Sequence, residues 1–424
     1  MWQAFDQLVR PQGRIFFGWW IVASSAGVQL LSSMLWMQTY GAYVVLLGEE
    51  FGWSKTLFAG AFALARFESG ILGPLQGWLV DRFGPRLILS IGTLGFGLGF
   101  MAFSTVETLL GFYASFALIA LGSSLGGFAT LMVSLVNWFN QHRSKAVAVS
   151  QMGYAVGGFC VPLVIFALEL WGWRTTAFAS GVVVLVVGLP LVQLVKHRPE
   201  EIGEVADGVP AADTLAERQA VLGVSFTARQ AMRTSSFWLI SFGHALALLT
   251  VSSVMMHLIP HLTEGLGYSL AGAGKVVALL TIFQLLGQFS GGYLGDRFNK
   301  RVICALCMVG HSLGLLLITY AGSWMAVGVF ALLHGISWGT RGPLMIAMRA
   351  DYFGAASFGT ILGFSSLIVM LGTVSGPLIA GYLADTTGNY ESGFTLIAGL
   401  SVLGSLCFLA ATPPAPPKAA ATSA

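Results

Sequence analysis

The stretch Gly77-Trp78-Leu79-Val80-Asp81-Arg82-Phe83-Gly84-Pro85-Arg86 lies between two apolar runs, and half a chain later Gly292-Tyr293-Leu294-Gly295-Asp296-Arg297-Phe298-Asn299-Lys300-Arg301 repeats its pattern. In both, a Gly stands four residues before an Asp, an Arg follows the Asp, and a second Arg stands five residues after it. A repeat at half the chain length in an apolar protein indicates two similar membrane-embedded halves around a central site. We expect each Gly to let two helices approach closely and the charged residues to form a cytoplasmic gate, made of Gly77, Asp81, Arg82, Arg86, Gly292, Asp296, Arg297 and Arg301.

The composition is that of an integral membrane protein. Apolar residues make up 56% of the 424 and charged residues 9%, with a mean hydropathy of +0.79. A soluble domain carries about a quarter charged residues, so a soluble protein is excluded. At roughly 20 residues per span plus short loops, the length accommodates about twelve transmembrane helices. The first apolar run, 15–47, is too long for the hydrophobic region of a cleavable signal.

Apolar windows between turn and charge signals predict twelve spans. They lie at 15–47, 54–79, 86–105, 108–137, 144–170, 174–195, 237–263, 269–294, 301–320, 324–349, 355–383 and 391–411. The predicted fold is all-α integral membrane, with two pseudo-symmetric six-helix halves at 1–195 and 237–411. The polar residues 196–236 are interpreted as a cytoplasmic linker, and the Pro- and Ala-rich residues 412–424 as a disordered cytoplasmic tail.

The distribution of basic residues predicts the orientation. If both termini are cytoplasmic, the cytoplasmic segments hold 16 of the 21 Lys and Arg, namely Arg10, Arg14, Arg82, Arg86, Arg143, Lys145, Lys196, Arg198, Arg218, Arg229, Arg233, Arg297, Lys300, Arg301, Arg349 and Lys418. This asymmetry follows the positive-inside rule and requires an even number of spans. We therefore expect a multi-pass protein of the plasma membrane, the inner membrane of a bacterium, with both termini in the cytoplasm.

The two halves also match outside the repeated loops. Asn137-Trp138-Phe139 ends the fourth span and Asp351-Tyr352-Phe353 ends the tenth, at nearly the same separation along the chain as the repeated loops. With the paired Gly-x-x-x-Asp-Arg loops, these features resemble the major facilitator superfamily over all twelve spans. The resemblance implies a pseudo-twofold bundle in which spans 1, 4, 7 and 10 line a central cavity.

Further segments resemble one branch of that superfamily, the bacterial monocarboxylate transporter-like and oxalate/formate antiporter-like carriers. They are Gly18-Trp19-Trp20, Glu50-Phe51-Gly52-Trp53-Ser54, Asp81-Arg82-Phe83-Gly84-Pro85-Arg86, Gly172-Trp173-Arg174 and Gly376-Pro377-Leu378-Ile379-Ala380-Gly381. This resemblance implies small organic anions as substrates, moved with protons or by exchange. The chain departs from the branch at its usual anion-binding positions, because span eight carries Gln288 instead of an Arg and residues 355–383 contain no Lys or Arg.

Arg341 is a candidate for the missing anion-binding residue. An ionisable side chain at mid-membrane costs about 2.5–3.5 kcal/mol on insertion scales and therefore requires a reason. Arg341 lies in Trp338-Gly339-Thr340-Arg341-Gly342-Pro343, where Gly and Pro can loosen a helix that lines a cavity. Its planar guanidinium could bind a carboxylate through two hydrogen bonds. A structural pair with a helix end or a carboxylate is the alternative.

Two further charges lie in the second span. Arg66 and Glu68 are two residues apart, so on one helix they point to different sides and are poor partners for each other. Arg66 is a candidate for substrate binding or gating, with a structural ion pair as the alternative. Glu68 is a candidate proton carrier, because a buried carboxylic acid can hold a proton near neutral pH. A neutral Glu hydrogen-bonded between helices remains equally open.

Histidines in the second half are the other titratable candidates. His244 in span seven and His334 in span ten could couple protons to transport, since His takes up a proton near physiological pH. Neutral packing residues are the alternative interpretation. His257 and His261 have the spacing of a metal pair, but no third ligand is visible in the sequence nearby, so no metal is expected.

Several uncharged polar residues interrupt apolar spans. They could complete the hydrogen bonds of a ligand or join neighbouring helices, and the sequence leaves both open. Those we include among the substrate-binding candidates are Gln38, Tyr154, Gln284 and Gln288. Cys304 and Cys307 have metal-like spacing inside an apolar span, but without a second pair they are interpreted as helix core residues.

The predicted function is secondary active transport of a small organic anion, monocarboxylate-like, by alternating access with proton coupling or exchange. The alternative within transport is an efflux carrier for amphipathic compounds, and the alternative from another class is a non-transporting sensor in a transporter fold. No P-loop or nucleophile motif appears, so neither an enzyme nor a cofactor is expected. The expected partners are a small-molecule substrate, protons and the bilayer, without nucleic acid, for a protein that functions as a monomer.

Overall fold

The computed structural model describes residues 15–53, 55–208, 225–268 and 270–417. A few helical side chains, that of Arg66 among them, also lie outside the described part. Throughout the described residues the secondary structure is helical. The chain divides into two compact units, Met1–Leu222 with Ser357–Gly363, and Gly223–Ala356 with Phe364–Ala424.

The first unit is built from long apolar helices joined by short turns. They are α1 (Phe17–Ser32), α2 (Tyr40–Phe51), α3 (Lys55–Phe83), α4 (Pro85–Phe103), α5 (Leu109–Leu125), α6 (Phe128–Trp138), α7 (Arg143–Phe159), α8 (Val161–Val183) and α9 (Leu189–Gln193). The π-helical turns Ser33–Met37 and Val184–Gly188 connect α1 towards α2 and α8 to α9. An aromatic core with Phe100, Phe103, Phe112 and Phe116 at its centre fills this unit.

The second unit contains α10 (Ala228–Met232), α11 (Ser235–Pro260), α12 (Leu270–Arg297), α13 (Lys300–Thr319), α14 (Trp324–Phe353), α15 (Phe358–Thr387) and α16 (Glu391–Ala410). Only the start of α15 groups with the first unit. Side-chain oxygens of Thr234, Asn299 and Ser323 accept hydrogen bonds from backbone N–H groups at the starts of α11, α13 and α14. These three helices therefore begin where the sequence supplies a capping side chain.

Nine described helical segments are long and apolar enough to cross a membrane. One of them, Arg143–Gln193, has 51 residues and covers two of the twelve predicted spans. The remaining two predicted spans correspond to α3 and α14, which carry the candidate charges of the sequence and are less apolar. The helices therefore follow the predicted spans, and the all-α membrane fold is confirmed by the solved structures described below.

The outward face of α3 is apolar. Leu64, Phe67, Ile71, Leu75 and Trp78 recur every three or four residues and are each exposed by 44% or more. A helical stripe of large exposed apolar side chains would be unstable in water, and it fits contact with lipid chains.

The repeat found in the sequence has a structural counterpart in each unit. In the first unit the Trp138 indole donates to the carbonyl of Lys196 at 3.0 Å. In the second the Tyr352 hydroxyl donates to the carbonyl of Ala411 at 2.8 Å. Each bond joins the end of the fourth helical span of its unit to the chain that follows the sixth span. The two units thus use the same tie at equivalent positions.

A second equivalence lies where the first and fifth spans of each unit cross. A Cβ atom on Gly153 of α7 would collide with the carbonyl of Ala26 in α1, and one on Gly372 of α15 would collide with that of Ala245 in α11. Gly157 and Gly376, one helical turn further on, approach Leu30 and Leu249 in the same way. For this pair of spans, Gly153 therefore corresponds to Gly372, a slightly longer shift along the chain than the one that relates the gate loops.

Part of the predicted linker packs on the first unit. Asp207 accepts hydrogen bonds from the backbone N–H groups of Asn140 and Gln141, both at 2.9 Å, and the carbonyl of His197 accepts one from the Asn137 amide at 3.0 Å. Burial lowers the pKa of the His197 imidazole. Residues 209–224 of the predicted linker and residues 418–424 of the predicted tail lie outside the described residues.

Candidate functional site

The site in the second unit depends on a close crossing of α12 and α14. A Cβ on Gly339 of α14 would overlap the carbonyl of Gln284, and one on Gly287 of α12 would lie 2.5 Å from the carbonyl of Ile336. The Thr340 hydroxyl donates across the crossing to the carbonyl of Gly287 at 3.1 Å. Small residues on both helices therefore bring the two backbones together and fix the position of the next residue of α14, Arg341.

Arg341 is buried inside this unit. It is 1% exposed and lies twelve residues before the end of α14, about 18 Å along the helix at 1.5 Å per residue. Its Nε and Nη1 atoms have no hydrogen-bond partner, and Arg341 has no ion-pair partner among the described residues. A buried guanidinium without an acceptor or a counter-charge carries an uncompensated desolvation cost. This arrangement is what a binding site for an anion requires.

Arg349, two turns further along α14, is equally buried but fully engaged. Its Nε and Nη2 atoms donate to the Ser365 hydroxyl oxygen at 3.1 and 2.8 Å, and its Nη1 donates to the carbonyl of Met345 at 2.9 Å. Nη2 also lies 3.1 Å from Nδ1 of His244. The distribution of basic residues along the sequence assigns Arg349 to the cytoplasmic segments. Its spacing of eight from Arg341, which puts both on one helical face, is the signal that could have identified it.

The two buried arginines and three histidines form one electrostatic group. The charge of Arg341 acts on Arg349, His244, His311 and His334. His311 and His334 face each other with their Nδ1 atoms 3.1 Å apart, so one ring donates its proton and the other accepts it. His244 and His334, the histidine candidates for proton coupling, thus lie in the same unit as Arg341 and within reach of its charge.

The polar candidates divide between the two units. Gln288, 7% exposed, and Gln284, partly buried, lie on α12 in the second unit with Arg341. The Oε1 atom of Gln288 is buried without a hydrogen-bond donor. Gln38 is exposed and Tyr154 partly buried, both in the first unit.

Glu68 and Arg66 belong to α3 of the first unit. Glu68 is partly buried, and its carboxylate accepts a hydrogen bond from the hydroxyl of the adjacent Ser69 at 3.3 Å. The side chain of Arg66, a candidate for substrate binding or gating, lies outside the described part of the structure. Glu68 therefore belongs to a different unit from Arg341.

The first gate loop makes specific contacts with the start of α15, which groups with the first unit. Asp81 accepts hydrogen bonds from the backbone N–H of Gly359 at 2.9 Å and from the backbone N–H and hydroxyl of Thr360, both at 2.7 Å. A Cβ on Gly77 would overlap the carbonyl of Gly359, so only glycine permits this approach. Arg86 donates to the carbonyl of Val195 at 2.9 Å.

The second gate loop has different surroundings. The Arg297 guanidinium lies 4.5 Å from the ring centre of Tyr293, as that of Arg82 in the first copy lies 5.3 Å from Trp78. Gly292 is buried, and Asp296 is partly buried at the end of α12. The backbone N–H of Arg301 donates to the Asn299 side chain at 3.1 Å. Close by in sequence, Lys300 pairs with Asp351 at 2.8 Å.

Packing accounts for two further histidines and two of the cysteines. His257 donates from Nε2 to the carbonyl of Pro377, and His261 donates from Nε2 to that of Ile318, both at 2.9 Å. Cys304 and Cys307 are buried free thiols on α13. Within the described part of the chain, no group of three or more His, Cys, Asp or Glu side chains is placed to hold a metal ion.

Long apolar helices in two repeated units, with an unpaired arginine buried in one of them, define the class as polytopic membrane transporters. Comparison with known proteins gives the family. Residues 25–258 and 240–424 match the model of the Major Facilitator Superfamily. The chain belongs to this superfamily of transporters, as its paired gate loops predict.

Individual relatives are distant but cover most of the chain. Monocarboxylate transporter 13 of Bos taurus is 26% identical over 413 residues, 93% of this chain and 92% of the relative. The membrane sensor protein UhpC of Salmonella typhimurium is 27% identical over 393 residues, 87% of this chain and 85% of the relative. Among solved structures, the human organic anion transporter MFSD10 superposes with a TM-score of 0.72 at 16% identity, covering 92% of this chain and 99% of the other.

Proposed function

We propose that this protein is a secondary carrier that moves a small organic anion, such as a monocarboxylate, across the inner membrane of a bacterium by alternating access. Substrate binding at Arg341 neutralises the buried cation and permits the gate loops to open and close around the loaded site. The energy comes from a proton gradient or from exchange for a second anion. Both termini lie in the cytoplasm and a monomer suffices for transport.

The observation that supports this proposal is that the buried guanidinium of Arg341 lacks hydrogen-bond acceptors. Its neighbour Arg349 obtains acceptors from three other residues, whereas Nε and Nη1 of Arg341 obtain none. A carboxylate supplies both the negative charge and the two acceptor oxygens that a guanidinium fork prefers. The monocarboxylate transporters among the relatives support the same substrate class, and Arg341 compensates for the Gln288 that stands where such carriers commonly have an Arg.

The direct test is uptake into liposomes that contain the purified protein. A panel of labelled lactate, pyruvate, acetate, formate, oxalate and succinate is offered with an inward proton gradient, without one, and after preloading with the same anion. Uptake accelerated by the gradient indicates proton coupling, and uptake only into preloaded vesicles indicates exchange. An absence of flux for every carboxylate under all three conditions would refute the anion assignment.

Substitution of Arg341 tests the binding residue. Arg341→Gln is expected to weaken binding of the transported carboxylate by about 2–5 kcal/mol, roughly thirtyfold to several thousandfold, because truncating one member of a buried charge pair costs this much. Arg229→Gln, which removes an exposed arginine of α10, is the matched control and should transport normally. Undiminished carboxylate uptake by the Arg341 variant would show that the site lies elsewhere.

A sensor function is the second candidate, because UhpC is a membrane sensor and matches 87% of the chain. A sensor would bind its ligand at Arg341 without carrying it. Binding of a carboxylate measured on the purified protein, with no flux into liposomes under any gradient, would favour this candidate over the carrier. Increased sensitivity of a deletion strain to amphipathic compounds, without loss of carboxylate uptake, would instead favour the efflux alternative.

A further inference from the structure

The hydrogen bonds of Arg349 determine the protonation state of His244. Arginine can only donate, so the ring nitrogen of His244 that lies 3.1 Å from Nη2 of Arg349 must accept. An accepting Nδ1 carries no proton, which makes His244 the neutral tautomer with its hydrogen on Nε2. The contact between His244 and Arg349 therefore exists only while His244 is uncharged.

The donor and the acceptor can also be assigned in the hydrogen bonds that join Arg349 to Ser365 and Ser365 to Ser241. The Ser365 oxygen accepts from both Nε and Nη2 of Arg349, which uses its two lone pairs. Its own hydrogen must then be donated to the Ser241 oxygen, 2.8 Å away. Ser241 and His244 belong to α11, Arg349 to α14 and Ser365 to α15. One network with a single consistent set of donors thus joins three helices.

Among the described residues, the first unit lacks the histidine of this network at the equivalent position. Gly153 and Gly372 are related by a fixed shift along the chain. By the same shift, Ser25 corresponds to His244 and Ala146 corresponds to Ser365. Both counterparts are fully buried, and neither can take up a proton near neutral pH. The titratable network is therefore an addition specific to the second unit, beyond what the shared helix crossing requires.

A proton bound at Nδ1 of His244 would reverse the contact. Two N–H groups, each on a cation, would then face each other at hydrogen-bond distance, and the bond between α11 and α14 would be lost. His244 is partly buried, whereas His311 and His334 are fully buried. Protonation at this position thus changes how α11 is held to α14.

The charge of Arg341 links this proton to the proposed substrate. The charged groups that act on His244 are Arg349 and Arg341, both on α14. From the other neighbouring helices, α15 presents the uncharged Ser365. An anion bound at Arg341 removes one of the two positive charges that oppose protonation of His244.

We propose that His244 is the proton-binding site of an anion–proton symporter, and that a carboxylate on Arg341 and a proton on His244 bind cooperatively, each increasing the affinity for the other. The proposal rests on the proposed function, since it presupposes that Arg341 binds the anion. Binding of both ligands leaves the net buried charge of the site unchanged while it breaks the contact between His244 and Arg349. The loaded carrier can then change conformation, whereas the carrier loaded with one ligand alone cannot.

The first experiment compares proton-driven accumulation with exchange. In His244→Asn, the amide oxygen can still accept from Arg349 but takes up no proton, so the variant should bind labelled carboxylate yet lose both exchange and the uptake driven by an inward proton gradient. His257→Gln is the matched control, because it removes another imidazole from α11 and keeps a donor for the Pro377 carbonyl. This control should retain the response to the gradient.

The second experiment measures linkage in detergent and needs no transport. Affinity of the wild-type protein for the best carboxylate of the panel should rise as pH falls from about 8 to about 6, by at most about tenfold per pH unit for one linked proton. In His244→Asn this dependence should disappear while binding persists at the value found for the wild type at high pH.

The outcomes separate the inference from the function on which it rests. If the wild type neither binds nor exchanges a carboxylate, the proposed function fails. If it does and His244→Asn keeps both the gradient response and the pH-dependent affinity, the assignment of the proton to His244 is wrong and the anion site stands. A variant that binds with pH-independent affinity but exchanges poorly supports His244 as the proton site, because a merely structural residue would not set the pH dependence.

Discussion

Arg341 and Arg349 lie on one face of α14 with the same exposure of 1%, but they differ in their hydrogen-bond partners. Arg349 donates to Ser365, Met345 and His244, and its charge is thereby spread over a network that ties helices together. Arg341 bears the desolvation cost without these bonds. A residue that destabilises the folded protein is kept when its unsatisfied groups serve a ligand, which is how we interpret Arg341.

This difference predicts opposite effects on stability. Arg349→Met should lower the free energy of unfolding by about 2–6 kcal/mol, because it leaves His244 and Ser365 without their donors at about 1–3 kcal/mol each. Arg341→Met removes an unpaired buried charge and should leave the stability unchanged or higher. Thermal unfolding of the purified variants in detergent without substrate measures both. A larger loss of stability in the Arg341 variant would mean that Arg341 has a structural partner.

At the scale of elements, the proposed anion site depends on how closely α12 and α14 approach. Gly339 and Gly287 let the two backbones meet, and the Thr340 hydroxyl then reaches the carbonyl of Gly287. This contact orients the next residue, Arg341, towards the interior of the second unit. The first gate loop uses the same device, because Gly77 lets Asp81 reach the N–H groups at the start of α15.

The crossing is tested by adding one methyl group to a glycine of α14. Gly339→Ala places a Cβ against the carbonyl of Gln284, and we expect a destabilisation of about 1–3 kcal/mol together with weakened carboxylate binding. Gly328→Ala is the matched control on the same helix, since no atom lies within 4 Å of its added Cβ. The control should be neutral or stabilising by roughly 0.5–1 kcal/mol. Equal melting temperatures for the two variants would contradict the close crossing.

At the scale of the whole molecule, the chain combines two repeats that share architecture and differ in chemistry. Each unit ties the end of its fourth span to the chain after its sixth span, through Trp138 in one and Tyr352 in the other. The unpaired arginine and its histidines belong to the second unit alone among the described residues. The duplication therefore supplies a shared scaffold, and the unpaired arginine is a difference between its two copies.

The orientation of the whole molecule can be tested with reporters fused to the C-terminus. Because the basic residues concentrate on one side, a fluorescent protein at the C-terminus should fold and fluoresce in the cytoplasm, and alkaline phosphatase there should be inactive. Fusions truncated after the first outer loop, near Trp53, should show the reverse. Active phosphatase at the full-length C-terminus would contradict an even number of spans with cytoplasmic termini.

Part of this molecule could be predicted from local sequence because its causes are local. A membrane helix must satisfy its backbone internally and present apolar side chains over about 20 residues, so its position is visible in composition alone. The predicted spans accordingly match helices such as α13 and α16 to within a few residues. The repeated Gly-x-x-x-Asp-Arg loops likewise identified the superfamily.

The chemistry of the site required the tertiary structure. In the sequence Arg341 lies within the tenth predicted span, and Arg349 ends that span and is counted among the cytoplasmic residues. Arg349 is bonded to Ser365, 16 residues away, and to His244, 105 residues away, and these distant partners decide that it is structural. The membrane class, the twofold repeat and the spans were thus determined by the sequence itself, because hydrophobicity acts along the chain. Which arginine remains free for a ligand was decided only by the packing of distant helices, because hydrogen-bond partners are chosen in space.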